Sequence, residues 1–274
     1  MKTIVRPTTS PAATPAARRA PGRPGPPSIG AVERTPGPLA RARLRWGLPD
    51  VLIAWLAGIL ASLFALPLAD PDLSTADQPI GFVVAALLLQ NLGIVAALWI
   101  LSDRKGQRSL RRDFGLVWPF ERLRFAVVAG WVALGAGLSM VAAALLRPIA
   151  DLANLDDSAQ EVSKTVERAG GVGLVLLMVG VVVVAPVVEE LLFRGALLRA
   201  LQRRLSVPVA VFASAVVFAC VHVVGDPGSY YVVPGLLLLG LVSGWQAART
   251  GDLRRSILLH AGFNLLSALT LVLT

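Results

Sequence analysis

Two adjacent carboxylates, Glu189 and Glu190, close an apolar run from Val172 to Val188, and Arg194 follows four residues after the second of them. A charged side chain at the centre of a membrane helix costs roughly 2.5 to 3.5 kcal/mol on insertion scales, so acids placed there are functional candidates by default. A span that simply ends at Val188 would leave them in water. Against that, Leu191, Leu192, Ala196, Leu197, Leu198 and Leu201 carry the apolar helical pattern past the charges. Glu190 and Arg194 share one helix face, where a guanidinium can hold a carboxylate ionised. Glu189, about 100° round the helix, is left free to act on a water as a general base.

The chain has two histidines, His222 and His260, and both fall in apolar segments. One intramembrane histidine is often only an interhelical hydrogen bond. Two of them together with two buried acids point to a functional cluster. Phe218 lies four residues before His222, and Asn264 four residues after His260, so each pair shares a helix face. The aromatic ring is expected to fix the histidine rotamer. Ser206-Val207-Pro208 reads as a cap and first turn, which makes the flanking helices an antiparallel hairpin. Glu189 precedes Ser206 by 17 residues and His222 follows it by 16. At a rise of about 1.5 Å per residue, the two reach similar depth unless a kink near Gly195 intervenes.

The elements that must position these groups follow from composition. The chain has 274 residues, 55% hydrophobic and 16% charged, whereas a soluble domain carries roughly a quarter charged residues. An all-α, polytopic transmembrane helix bundle is expected. About seven spans (six to eight) fit, near 51–69, 80–101, 125–146, 172–200, 207–224, 230–248 and 256–273. Residues 1–45, rich in Pro, Ala and Arg, read as a disordered basic tail. Residues 46–171 then supply three N-terminal spans, and 172–274 the bundle that carries the motifs. Basic residues in the tail, in the 102–124 loop, at Arg199, Arg203 and Arg204, and at Arg249, Arg254 and Arg255 all fall on one side when the spans alternate. The positive-inside rule makes that side, and the N-terminus, cytoplasmic in a multi-pass protein of the cell membrane.

The net charge of +9 is explained by this orientation, and no nucleic-acid partner is expected. The lone Cys220 is expected to be an inert packing residue, as is Ser243. Trp46, Trp99 and Trp245 are expected to anchor at the membrane interface. Gln90 and Asn91 are expected to form interhelical hydrogen bonds. Asp226 and Asp252 beside glycines read as turn residues.

Taken together, EExxxR (Glu189, Glu190, Arg194), FxxxH (Phe218, His222) and HxxxN (His260, Asn264), in that order on successive late spans, resemble the CAAX-protease and bacteriocin-processing (CPBP) family, also called Rce1-like or Abi proteins. The resemblance covers about residues 172–273, and no motif residue departs from it. It implies an intramembrane endopeptidase in which Glu189 and His222 activate a water, while His260 and Asn264 stabilise the oxyanion. Glu190, Arg194 and Phe218 would support them. The substrate would be a membrane protein or lipidated peptide of CAAX type, met within the lipid bilayer. The resemblance leaves metal dependence open, because both metalloprotease and glutamate-dependent chemistry have been ascribed to the family.

Glu189, His222 and His260 could hold zinc with an open water position. No HExxH is present, however, and no second acid is evidently placed to orient the histidines. A metal-independent site is favoured, with no cofactor firmly implied. The competing reading from a different class is a non-catalytic bacteriocin-immunity or scaffold protein of the same fold. A transporter with a Glu/His proton relay fits the chemistry but not the order of the motifs.

Overall fold

The structure, a computed structural model, describes residues 45–74, 77–116, 123–153, 169–224, 230 and 232–273. The tail expected over 1–45, apart from Arg45, lies outside these residues, as do Asp226 and the acids of 154–168. All regular structure among the described residues is helical. In chain order the helices are α1 (Leu48–Ser62), α2 (Ile80–Lys105), α3 (Leu110–Phe114) and α4 (Phe125–Ala153). There follow α5 (Val172–Gln202), α6 (Val207–Val221), α7 (Val233–Thr250) and α8 (Arg254–Leu273).

Each expected span has its helix. Five helical segments are long and apolar enough to cross a membrane: Leu48–Leu68, Ile80–Lys105, Phe125–Leu146, Val172–Gln202 and Arg254–Leu273. The other two fall short of the expectation for different reasons. α6 is apolar but only 15 residues long, and α7 has 18 residues but includes Gln246 and Arg249. The protein is a multi-pass helical membrane protein. Leu52, Ile53, Leu60, Leu92 and Leu145 point outward, as lipid-facing side chains do, while the interior gathers small and polar groups.

α5 is not a uniform α-helix. Its backbone opens into π turns at Gly180–Val184 and Glu190–Leu197, on either side of Glu189. The Ala185 N–H reaches back five residues to the Gly180 carbonyl, and the Leu198 N–H to Phe193. A neighbouring side chain meets each wide turn. Ser214 of α6 donates to the Phe193 carbonyl at 3.1 Å, and Asn264 of α8 donates to the Val181 carbonyl at 2.9 Å. The two turns thus bind α5 to the helices that carry the histidines.

α8 is held from its other side by α4. A Cβ at Gly135 would collide with the Leu259 carbonyl, and one at Gly262 with the Val132 carbonyl. Only glycine at both positions lets the two backbones approach so closely. A hydroxyl pair, Ser139 with Ser267 at 2.9 Å, continues the seam.

The basic loop after α2 is more structured than its sequence suggests. Asp113 accepts from Ser102 Oγ at 2.6 Å and from the Gln107 N–H at 2.9 Å. Gly115, at φ +82°, turns the chain in the left-handed region that glycine tolerates. Phe114 is driven inward against Trp46, with ring centroids 5.0 Å apart. Trp46 is therefore a fully buried packing residue and not an interfacial anchor, because α3 supplies it with an aromatic partner. Trp99 and Trp245 do face outward. Asn91 donates within its own helix, to the Leu87 carbonyl at 2.8 Å, and not between helices. Cys220 is exposed and so is not a packing residue. Ser243 is buried and donates to Leu239, and Asp252 binds Arg254 in the turn before α8.

Candidate active site

Three helices converge on Glu189. α5 contributes Glu189, Glu190 and Arg194. The last turn of α6 contributes Phe218 and ends at His222, its C-cap. α8 brings His260, while Asn264, one turn further along, is bound to the Val181 carbonyl, eight residues before Glu189 on α5. The equal-depth expectation holds despite the π turn through Gly195: His222 Nε2 lies 3.5 Å from Glu189 Oε2. His260 Nε2 approaches the same oxygen, at 3.6 Å. One carboxylate oxygen is thus flanked by two imidazoles at separations beyond a good direct hydrogen bond.

Each ring is fixed through its other nitrogen. His222 Nδ1 lies 2.7 Å from the Phe218 carbonyl, which can only accept, so Nδ1 carries a proton and donates. In the neutral ring Nε2 then presents a lone pair towards Glu189. His260 Nδ1 lies 3.2 Å from Glu190 Oε1 and donates to that carboxylate. A second acid therefore does orient a histidine, contrary to the expectation from sequence. The reason is geometric: successive carboxylates on a helix diverge by about 100°, so Glu189 and Glu190 reach different sides of His260.

Glu190 also pairs with Arg194, whose NH1 is 3.3 Å from Oε1, and both side chains are completely buried. The guanidinium carbon sits 4.3 Å from the Phe218 ring centre. Phe218 does more than pack under one histidine. Its ring centre is 4.5 Å from His222, 5.5 Å from His260 and 5.2 Å from Phe193. Aromatic edges and a cation on its face fix both imidazoles and the arginine around one rigid side chain.

The openness of the groups differs. Side-chain exposure is 30% for His222 and 23% for Glu189, against 2% for His260. A molecule entering the cluster would meet Glu189 and His222 first. Asn264 donates to the Val181 carbonyl, a partner that sequence reasoning missed.

The zinc set weighed from the sequence, Glu189, His222 and His260, does come together around one oxygen. Even so, among the described residues no group of three His, Cys, Asp or Glu side chains is arranged to hold a metal ion. The Nδ1 atoms are turned to a carbonyl and to Glu190.

The multi-pass helical bundle thus encloses a carboxylate between two imidazoles, groups able to accept and return a proton. Residues 171–266 match the family described as type II CAAX prenyl endopeptidase Rce1-like. The matched segment holds all seven motif residues. No curated protein and no solved structure matches the chain.

Proposed function

We propose that the chain is a glutamate-dependent intramembrane endopeptidase, with residues 172–274 carrying the chemistry and 46–171 supporting them. The observation behind this reading is the sharing of Glu189 Oε2 by the Nε2 atoms of His222 and His260. A water held between Glu189 and His222 loses a proton to them as its oxygen attacks the scissile carbonyl carbon. The carbonyl π electrons move to oxygen. That oxyanion accepts hydrogen bonds from His260 Nε2–H and from the Asn264 amide. Collapse of the tetrahedral species breaks the C–N bond, and the departing amine takes the proton held by Glu189 and His222.

His260 can donate from Nε2 while Nδ1 is bound to Glu190 only as the imidazolium. Glu190 is the acceptor buried beside its Nδ1. This gives the two histidines different work: His222, turned by a neutral carbonyl, serves as a base, and His260, turned by a carboxylate, serves as a donor.

The substrate class is a membrane-associated protein or lipidated peptide, with the N-terminus of the enzyme cytoplasmic. The test compares new protein termini in membranes of cells expressing wild type or Glu189→Gln at matched levels. Termini seen only with wild type support the protease and identify its substrate. If none differ while both proteins are folded and abundant, the immunity or scaffold reading replaces it.

A further inference from the structure

The Val181 carbonyl accepts a hydrogen bond from Asn264 Nδ2 and not from the backbone of its own helix turn. In the π turn Gly180–Val184, hydrogen bonds run five residues back, as the Ala185 N–H to the Gly180 carbonyl demonstrates. The next donor in that register belongs to residue 186 and would serve Val181. Residue 186 is proline, which has no N–H. In that register the Val181 carbonyl has no helical donor, and Asn264 Nδ2 stands 2.9 Å from it.

We infer that Pro186 is a positioning residue: by withholding the backbone N–H, it gives the Val181 carbonyl to Asn264 and fixes which end of that amide is presented to the site. A carbonyl can only accept, so the NH₂ end of the Asn264 side chain must face Val181. The same nitrogen carries a second N–H. It remains for a substrate oxygen, beside His260 one turn earlier on α8. Flipping the amide would set Oδ1 against the Val181 oxygen, so the donor is held without help from the substrate. Preorganisation of this kind is what makes an oxyanion donor effective. The proline lies three residues before the base it serves and touches no reacting atom.

The catalytic part of this inference rests on the protease reading, whereas the hydrogen-bond part does not, and the experiment separates them. The chain has three asparagines, Asn91, Asn154 and Asn264. Selective ¹⁵N-asparagine labelling of the full chain in detergent micelles therefore gives three side-chain amide signals, and Asn264→Ala identifies the third by its loss. In Pro186→Ala the restored N–H competes for Val181. The Asn264 amide signal then shifts, and its solvent exchange rises about tenfold, the factor that corresponds to one hydrogen bond of ordinary strength. Asn91, bound to Leu87 in its own helix, keeps its signal and reports an intact fold. An unchanged Asn264 signal in a folded Pro186→Ala protein overturns the inference.

On a substrate identified from the termini, Asn264→Ala lowers kcat about 100-fold, as loss of an oxyanion donor does. Pro186→Ala lowers kcat about tenfold and leaves KM within about twofold, and the double variant is no worse than Asn264→Ala. Effects that multiply instead of merging mean that Pro186 acts by a separate route and sink the catalytic part. If wild type cleaves nothing while the amide coupling is present, the protease reading falls and the hydrogen-bond assignment stands.

Discussion

Two buried arginines one and a half turns apart on α5 are solved in opposite ways. Arg199 donates to three backbone carbonyls: Asp113 at 2.6 Å, Arg112 at 3.2 Å and Gly251 at 3.4 Å. It ties the loop after α2 to the turn before α8. Arg194 has a carboxylate and an aromatic face, but among the described residues its nitrogens make no well-aligned hydrogen bond. The first arginine is a structural clamp, held through both terminal nitrogens by neutral acceptors while its Nε stays without a partner among the described residues. The second supplies charge, balancing Glu190 so that Glu190 can in turn hold His260. A buried cation that is left short of hydrogen bonds marks the place where electrostatics, and not satisfaction, decided the residue.

The comparison can be broken at several points. The largest effect is expected at the group both histidines share. Glu189→Gln keeps the shape and removes the base, so turnover should fall by about 10²- to 10⁴-fold, with unfolding in detergent unchanged. Full activity in this variant would remove the mechanism.

Next comes Arg194→Ala, which leaves Glu190 buried without its cation. Removing one partner of a buried pair costs about 3 to 5 kcal/mol, visible as a large fall in the denaturation midpoint. A variant as stable as wild type would mean that the charge argument fails.

Arg199→Ala should cost less, about 2 to 3 kcal/mol for the lost hydrogen bonds of a charged donor. It should leave the activity of the folded fraction intact and raise protease cutting of the 102–116 loop. If specific activity fell along with stability, the clamp and the site would not be the separate devices described above.

Phe218→Leu sharpens the comparison from the side of the aromatic hub. It removes ring contacts each worth about 0.5 to 1.5 kcal/mol. A modest loss of stability is expected, with kcat reduced more than KM because both imidazoles lose their stop. Equal loss in both parameters would assign the ring to substrate binding.

Much of the site was legible before any coordinates. EExxxR, FxxxH and HxxxN are periodicities of one helix turn, and two acids in one apolar span with a histidine in each of two others are unusual enough to stand out. Five spans were legible for the same reason, since hydrocarbon admits only long apolar segments whose backbone is satisfied internally, whereas the spans expected at 207–224 and 230–248 fell short. The loop after α2 was not. Its arginines suggested solvent, while the residues that matter there, Asp113, Phe114 and Gly115, act through contacts with Trp46, Arg199 and the turn at Gly251, far away in sequence.

What the sequence by itself determined is therefore whatever depends on neighbours along one helix: the spans, the shared faces, the Glu190–Arg194 pair and the missing N–H of Pro186. Only the tertiary structure decided which partner each of those groups found. It placed both imidazoles on one oxygen of Glu189, turned Glu190 towards His260, and brought Asn264 to the Val181 carbonyl. Helix periodicity tells which face a side chain leaves from, but the rotation and depth of neighbouring helices are set by close contacts such as Gly135 and Gly262 against opposing backbones, and these have no signature in either segment alone.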